Sequence, residues 1–455
     1  MTTATTTPAA ASAADPWRTV PPSPLHRLRI RELWQFLLKQ PMSFKLICLY
    51  GFFEYVRPQA IYAPLKGMPF ASWAIILCAV AYLLESRRLR SLNFMDGLLL
   101  LFTLIVVASS ANAYLPALSF ARLMPVYLSW IIIYLMITNT VDTEKKFIVF
   151  MVLYFLWCLK MSQFGVRMVV MRGFSFSSWG LTCAPQFFHN SGECGIQLAM
   201  FFVSSLYFVL GVAAYLTRRG RWIVAIMPVS AGIAIMGSSS RGAQLALAAL
   251  LIWMVLRSRQ PIRMLVLAAV LAGAFYAILP EEQKDRFRTM GTDETSMTRR
   301  QYWSDGIKIT RQHPIFGVGF QNWLPYYLRN YSARGQLPHN IFVEAGAELG
   351  YVGLGGFILL ILGTFVMNLR TRRMARRLPH GSFLWHMAHG LDGALIGFLV
   401  GGFFVTVLYY PFFWINLAMT VALYNVTRKQ LGAGRAIAPL RERRRPGSSR
   451  GMHAA

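Results

Sequence analysis

Apolar residues fall in long, nearly unbroken runs along most of the chain, and short polar segments separate these runs. Such runs predict membrane-spanning helices, because a helix needs about 20 apolar residues to cross a bilayer. They lack the strict alternation of an outer-membrane barrel. The pattern predicts an all-α polytopic membrane protein of about twelve spans. The predicted spans lie near residues 42–56, 70–84, 94–111, 120–138, 146–161, 195–216, 222–239, 242–256, 262–279, 346–369, 390–408 and 410–427.

Composition supports this class and excludes several others. Hydrophobic residues make up 55% of the 455 residues and charged residues only 14%, whereas soluble domains have about 25% charged residues. A net charge of +28 would suggest a nucleic acid partner for a soluble protein. In a membrane protein the same excess follows from Lys and Arg in cytoplasmic loops, so we expect no nucleic acid partner.

The positions of Lys and Arg predict the orientation of the spans. If the N-terminus is cytoplasmic, every even-numbered connection is basic and most short odd-numbered connections are not. The basic segments are 87–90, 145–146, 218–221, 257–259, 370–377 and the tail 441–450. We therefore expect a multi-pass membrane protein with a cytoplasmic N-terminus. Its basic tail is a positive-inside anchor, or it also contacts anionic membrane lipid.

The spans divide the chain into five segments. These are a disordered cytoplasmic N-terminus (1–33), nine spans with an outer loop at 162–194 (34–279), a large periplasmic loop (280–345), three spans (346–427) and a basic cytoplasmic tail (428–455). In the large loop, apolar and aromatic residues at 302, 303, 306, 307 and 309 predict one face of a short amphipathic helix. We expect this helix to lie on the outer membrane surface.

Two short motifs place polar chemistry at the outer edge of the bilayer. Arg241 lies in a run of small residues, Gly237-Ser-Ser-Ser-Arg-Gly-Ala243, between two spans. A guanidinium there suits bidentate contact with phosphate oxygens, or it reaches to lipid headgroups. His339 lies where the large loop enters a span, and a neutral histidine can accept a proton near pH 7. Its alternative role is that of an interfacial residue with satisfied hydrogen bonds.

Several other polar residues are candidates for the same site. Glu344 and Glu348 follow His339 and stack on one helix face. Arg299 and Arg300 begin the amphipathic segment and could bind an anionic lipid carrier. Weaker candidates, each with a plain structural alternative, are His189, Asn190, Glu193, Arg122 and His313.

Cysteines and metal ligands add little. Cys183 and Cys194 share an outer loop and could pair in an oxidising compartment. No cluster has convincing metal-ligand spacing, and no nucleotide-binding motif is complete. The sequence therefore predicts neither a metal site nor a cofactor.

The order of these motifs resembles the O-antigen ligase/polymerase superfamily of bacterial membrane glycosyltransferases. The resemblance rests on Ser-Ser-Arg-Gly at 239–242, Arg299 four residues before Trp303, His-Pro-Ile-Phe-Gly-Val-Gly-Phe at 313–320, and His339-Asn340 followed by Glu-Leu-Gly at 348–350. It covers residues 235–370 well. The segment Glu-Tyr-Val-Arg-Pro-Gln at 54–59 is also similar to members of this family.

The resemblance implies an activity and roles for the candidates. Such proteins have a GT-C-like helical fold and transfer a glycan from undecaprenyl diphosphate to an acceptor hydroxyl at the periplasmic face, without a nucleotide sugar or catalytic metal. His339 would then be the base, and Arg241 would bind the diphosphate. The implied substrate-binding residues are Arg299, Arg300, Asn340, Glu344 and Glu348, with either glutamate orienting His339.

The acceptor and one rival class stay open. Lipid A–core is the favoured acceptor, but the shared motifs also fit a polymerase acting on a second carrier-linked glycan, or a ligase acting on protein. The rival class is a transporter for lipid-linked glycans, which would place charged residues at mid-span. Here the polar residues gather at one outer face, and this favours surface chemistry.

Overall fold

The computed structural model describes residues 24–85, 89–173, 180, 183, 188–258, 260–278, 281–289, 291–332 and 334–443. This part of the chain is helical, with no strand. The first nine α-helices are α1 (Ile30–Leu38), α2 (Met42–Tyr55), α3 (Pro58–Ile61), α4 (Phe70–Leu84), α5 (Phe94–Ala111), α6 (Pro116–Arg122), α7 (Ser129–Thr140), α8 (Glu144–Met171) and α9 (Ser191–Val212). The others are α10 (Arg218–Gly237), α11 (Arg241–Arg257), α12 (Pro261–Ile278), α13 (Glu281–Arg288), α14 (Glu294–Gln312), α15 (Trp323–Asn330), α16 (Ile341–Ala375), α17 (Ser382–Gly402) and α18 (Pro411–Arg443).

Seven helical segments of the described chain are long and apolar enough to cross a membrane. They are Phe94–Ala111, Pro116–Thr140, Glu144–Met171, Ser191–Tyr215, Arg218–Gly237, Ile341–Ala375 and Ser382–Gly402. The shorter apolar helices are Phe70–Leu84 and Pro261–Ala274. All twelve predicted spans overlap a helix, but the count of twelve is not confirmed and stays a prediction.

Several predicted boundaries differ from the structure. Helix α8 continues to Met171, so the outer loop begins later than residue 162. The span predicted at 390–408 begins at Ser382 and ends at Gly402. Inside this helix the structure buries the carboxylate of Asp392 against the guanidinium of Arg372.

The N-terminal segment is more ordered than predicted over its described part. Residues Pro24–Arg27 form a 3₁₀ turn, and α1 begins at Ile30. The buried His26 ring explains this order, because its Nε2 lies 3.1 Å from Glu144 Oε1 and the ring also packs on Tyr215. Residues 1–23 and 444–455 lie outside the described residues, and the predicted basic tail is described up to Arg443, where α18 ends.

Hydrogen bonds show which helix ends lie together at each of the two ends of the bundle. At one, which we call the basic end, Ser43 Oγ donates to Glu85 at 2.7 Å and Gln430 donates to Glu144 at 2.6 Å. At the other, the loop end, Ser109 Oγ donates to the Phe316 carbonyl at 2.9 Å. These contacts join only segments that the predicted topology places on the same side.

The helix predicted at 298–309 is part of α14, but its buried face differs from the prediction. Tyr302, Gly306 and Ile309 are buried as predicted, whereas Ile307 is exposed. Helix α14 packs on α16. A Cβ on Gly306 would lie 2.3 Å from Val343, so this glycine allows the close approach of the two helices. The helix therefore uses its apolar face against protein.

A break in α16 explains the glycines of the motif at 314–319. Gly350 has φ 70° and ψ −173°, a conformation that is essentially restricted to glycine. The break exposes backbone groups that pair with the motif: Val318 N–H donates to the Ala347 carbonyl at 2.9 Å, and Tyr351 N–H donates to the Pro314 carbonyl at 2.8 Å. The loop and the helix entrance are thus fixed to each other.

We expect Gly350→Ala to destabilise the protein by about 3 kcal/mol or more, since it combines backbone strain with a steric clash. A Cβ at this position would lie 2.4 Å from the Ile315 carbonyl oxygen. Thermal unfolding of the purified protein in detergent measures the effect. Gly355→Ala in the same helix is the matched control, because a Cβ there meets no atom within 4 Å. It should be neutral or stabilise by up to about 1 kcal/mol. Equal melting temperatures for both variants would contradict this account.

Candidate active site

Arg241 lies at the start of α11, in a tight turn at the loop end. The Ser240 hydroxyl caps the helix by accepting the Ala243 N–H at 3.4 Å. Ser239 is buried with φ +52°, a strained left-handed conformation for a serine. Gly242 permits close packing, because a Cβ there would lie 3.1 Å from Phe404 Cβ. Gly242 thus lets the turn pack closely against Phe404.

Asp293 forms a bidentate ion pair with Arg241. Nη1 and Nη2 of the guanidinium lie 3.1 and 2.7 Å from the two carboxylate oxygens. Ser296, in the first turn of α14, also donates its Oγ hydrogen to this carboxylate. Asp293 itself lies directly before the helix. The hydrogen bonds from Arg241 hold the pKa of the Asp293 carboxyl well below its usual range. One planar, charge-assisted contact therefore joins the Arg241 turn to the large loop.

Arg299 brings a second guanidinium to the same place. Its Nε is buried and has no hydrogen-bond partner among the described residues. Burial, and next the positive charge of Arg241, lower the pKa of Arg299. Arg299 lies in the second turn of α14, whose N-cap residue Asp293 pairs with Arg241, so two arginines share the surroundings of one carboxylate. This arrangement favours binding of an anion.

His339 is held in an unusual conformation next to these arginines. Its backbone is left-handed, with φ +51°, and its N–H donates to Thr406 Oγ1 at 2.8 Å. Trp303 of α14 supports the turn by donating to the Pro338 carbonyl at 3.0 Å. Burial, and next the positive charge of Arg299, lower the pKa of the His339 imidazole to about 4. The ring is therefore neutral near pH 7, as a general base must be.

The structure places two other predicted site residues in roles that support the fold, and a third at the surface. Asn340 caps α16, where its Oδ1 accepts the Phe342 and Val343 N–H groups at 2.8 and 3.2 Å. Glu348 accepts the Gln321 N–H at 3.0 Å and the Tyr409 hydroxyl at 3.1 Å, so it fixes the loop after the glycine motif. Arg300 is exposed.

Glu344 is buried beside Glu348, as their helical spacing predicted. Its Oε2 has no hydrogen-bond partner among the described residues, and the carboxyl accepts a hydrogen bond from the Leu408 backbone. The hydrogen bonds described for His339 go to Thr406 and Gln336. An orienting contact from either glutamate to His339 therefore stays a prediction.

Four of the five weaker candidates have local structural partners. Glu193 accepts the His189 N–H and an Asn190 Nδ2 hydrogen, both at 2.8 Å, which closes the start of α9. His313 Nε2 lies 3.0 Å from the Tyr326 hydroxyl. Arg122 is exposed, where α6 continues into a π-helical stretch, Leu123–Leu128.

A disulfide joins Cys183 to Cys194 at the loop end. It lies near the Arg241 turn, because Gly195 packs closely on Ala243, with an added Cβ only 2.3 Å from the Ala243 Cβ. The other cysteines, Cys48, Cys78 and Cys158, are buried and unpaired. The structure thus forms the pair that the sequence left open.

Sequence reasoning missed Asp293 and Thr406. Asp293 stands in a helix-start pattern, Thr-Asp-Glu-Thr-Ser at 292–296, which could have identified it as an acidic group six residues before Arg299. No sequence pattern identifies Thr406, because it lies inside the predicted span 390–408.

Fold and site together define a multi-pass helical membrane protein with a cationic, histidine-containing site at one end of the bundle. Residues 224–358 match the family model described as O-Antigen ligase. The chain is also similar to an O-antigen ligase of Pseudomonas aeruginosa, at 30% identity over 153 residues, which is 32% of this chain and 34% of that protein. The chain thus spans about a third of the length of this curated relative. These matches confirm the predicted resemblance to the O-antigen ligase/polymerase superfamily over the region that holds Arg241, Arg299 and His339.

Proposed function

We propose that this protein transfers a glycan from undecaprenyl diphosphate to an acceptor hydroxyl at the periplasmic face of the inner membrane. Lipid A–core is the favoured acceptor. The observation that carries the proposal is that α14 links Arg241, Arg299 and His339. This helix holds Arg299, Asp293 at its start pairs with Arg241, and its Trp303 donates to the carbonyl of the residue before His339. Two guanidinium groups suit a diphosphate, and a neutral imidazole beside them suits a base. The similarity to O-antigen ligases supports the same reaction class.

In the proposed reaction, the acceptor oxygen attacks the anomeric carbon as the bond from that carbon to the diphosphate oxygen breaks. His339 takes the proton from the acceptor hydroxyl. Arg241 and Arg299 stabilise the negative charge that develops on the departing undecaprenyl diphosphate. Because this is a single displacement, it inverts the configuration at the anomeric carbon. The carrier enters sideways from the bilayer, and its prenyl tail stays between the helices.

Reconstituted transfer tests the proposal. Purified protein is mixed with an undecaprenyl-diphosphate-linked glycan and a lipid A–core acceptor, with and without a metal chelator. We expect transfer to lipid A–core at a rate that the chelator leaves unchanged. Chain growth of the glycan without the acceptor would instead identify a polymerase, and transfer to a protein acceptor alone would identify a protein ligase. Movement of the glycan across liposomes without any transfer would favour the transporter.

The orientation part of the proposal predicts the state of the cysteines in cells. Disulfides form in the oxidising periplasm and are rare in the reducing cytosol. Protein from cells lysed into denaturant and thiol-reactive maleimide should therefore take up three labels, on Cys48, Cys78 and Cys158, and five after reduction. The Cys194→Ser variant should take up four labels in both conditions. Five labels on the wild type before reduction would place the loop end in the cytosol.

The proposed base predicts an unusual pH profile. Since His339 must be neutral to act, kcat/KM should fall on the acid side around its pKa of about 4 and stay level from there to pH 7. Removing the Arg299 charge favours the protonated imidazole, so the residual activity of Arg299→Gln should have its acid limb at higher pH. That limb should still lie below the ordinary value of 6.5, because burial, the larger cause, persists. An acid limb that does not move in Arg299→Gln would contradict the coupling.

A further inference from the structure

A polar cavity of about 560 Å³ lies at the basic end, away from the candidate active site. Its volume is within the range of roughly 300–1,000 Å³ that is typical of ligand pockets. It opens where the ends of α4, α5, α7 and α18 meet, and its lining includes Tyr82, Arg90, Asn139, Asn425 and Arg428. Nothing in the proposed transfer reaction uses this cavity.

The charges that line the cavity leave an excess of positive charge. The carboxylate of Asp96 already binds Arg90, with Oδ2 at 2.7 Å from Nη1. The carboxylate of Asp142 already binds Lys146, with Oδ1 at 2.6 Å from Nζ.

Two further cations, Arg428 and Lys429, have no carboxylate partner among the contacts described for this part of the chain. Arg428 donates to Ser91 Oγ at 2.5 Å and lies over the ring of Tyr424. Both contacts are with uncharged groups, so its charge is not neutralised. The cavity therefore favours an anion.

Asn425 is an independent sign that a polar ligand belongs in this cavity. Its Oδ1 and Nδ2 atoms are both buried, and neither has a hydrogen-bond partner among the described residues. Unpaired buried amides are rare and costly, because desolvation is not compensated. An anion held by Arg428 would accept a hydrogen bond from the Asn425 amide as well.

Exposed leucines directly follow the lining residues Tyr82 and Ser91 in sequence, and they indicate a lipid rather than a free solute. Leu83 and Leu84 end α4 and are 76% and 79% exposed, and Leu92, before α5, is 80% exposed. The acyl chains of a lipid would cover these side chains, whereas a free anion would leave them exposed. The cavity also lies at the level of the helix ends, where lipid phosphates are found.

We propose that this cavity binds the phosphate group of an anionic membrane lipid through Arg428, Lys429 and Asn425. The acyl chains of this lipid would lie along Leu83, Leu84 and Leu92. Guanidinium, ammonium and amide N–H groups are all suitable donors to phosphate oxygens. The site is independent of the proposed transfer reaction and lies at the opposite end of the bundle.

Lipid binding to the full-length, delipidated protein in neutral detergent tests the proposal. The probes are phosphatidylglycerol, phosphatidylcholine and inorganic phosphate, read by thermal unfolding and by mass spectrometry of the intact complex. We expect phosphatidylglycerol to bind and raise the melting temperature, and phosphatidylcholine to do so much less. The variant Arg428→Gln/Lys429→Gln should bind phosphatidylglycerol at least about tenfold more weakly, because two charge-assisted contacts are lost.

Two further variants make the test specific. Arg218→Gln/Arg219→Gln removes the same charge from exposed positions at the start of α10, near the same end of the bundle, and should bind like the wild type. Asn425→Asp keeps the shape of the side chain but adds a negative charge, so it should weaken binding by a similar factor. Each variant is first compared with the wild type for melting temperature without lipid.

The outcomes are distinct. Binding that is lost in Arg428→Gln/Lys429→Gln and Asn425→Asp, kept in the control, and not displaced by millimolar phosphate supports a lipid headgroup. Displacement by phosphate, with the same pattern among the variants, supports the anion site and identifies free phosphate as its occupant. Unchanged binding in both cavity variants, or an equal loss in the control, would overturn the proposal.

Discussion

His339→Asn is expected to lower the rate of glycan transfer by a factor of about 10²–10⁴, the range that a general base contributes. Asparagine is the suitable replacement, because it tolerates the left-handed backbone that His339 adopts better than other side chains. The variant should therefore keep its fold and its contact with Thr406, and lose only the proton acceptor. The measurement is the initial rate in the reconstituted assay, together with the melting temperature.

His313→Asn is the matched control for this substitution. His313 also lies in the large loop, directly after α14, and its ring contacts Tyr326, with no assigned part in the chemistry. This control should keep transfer within a few-fold of the wild type. Equal losses in both variants, or a melting temperature that falls in His339→Asn alone, would assign His339 a structural role.

Arg241→Gln is expected to reduce transfer by about 10²–10³-fold, the typical loss when one group that stabilises developing charge is removed. Glutamine keeps much of the length and hydrogen-bonding capacity of the side chain but has no positive charge. The structural alternative is that Arg241 matters only as the ion-pair partner of Asp293, at 2.7 Å. A second variant separates these two explanations.

Asp293→Asn removes the ion pair but leaves Arg241 charged. If Arg241 binds the diphosphate, this variant should lose far less activity than Arg241→Gln, because the guanidinium is still present. The KM for the donor should fall by up to about fivefold, since an ion pair of this kind contributes at most about 1 kcal/mol and competes with the donor. Similar losses in Arg241→Gln and Asp293→Asn would show that the ion pair, and not diphosphate binding, explains the importance of Arg241.

The positions of the helices followed closely from the apolar runs. Helices α5 (Phe94–Ala111) and α4 (Phe70–Leu84) have the predicted limits, because their apolar runs end where polar residues begin, and Asn93 caps the start of α5. Prediction was weaker where polar residues lie inside the bundle. The helix that holds Asp392 begins eight residues before its predicted start, and the partner of this buried carboxylate, Arg372, is distant in sequence.

The residues proposed for chemistry were all predicted from their motifs, but their connections were not. Sequence spacing cannot show that Asp293 pairs with Arg241 over 52 residues, or that Thr406 holds the turn at His339 over 67 residues. The same limit applies to Glu348, which was predicted to bind substrate. In the structure its carboxylate accepts a hydrogen bond from the backbone N–H of Gln321. Such contacts depend on how the large loop packs on the ends of the spans.

Donor binding to two inactive variants tests the central claim most directly, namely that the guanidinium groups hold the diphosphate and His339 acts on the acceptor. The dissociation constant for the undecaprenyl-diphosphate-linked glycan is measured for the wild type, His339→Asn and Arg241→Gln. The account predicts that His339→Asn binds the donor like the wild type, and that Arg241→Gln binds it at least about tenfold more weakly, since charge-assisted contacts are lost. Wild-type affinity in Arg241→Gln, or an equal loss of affinity in both variants, would contradict it.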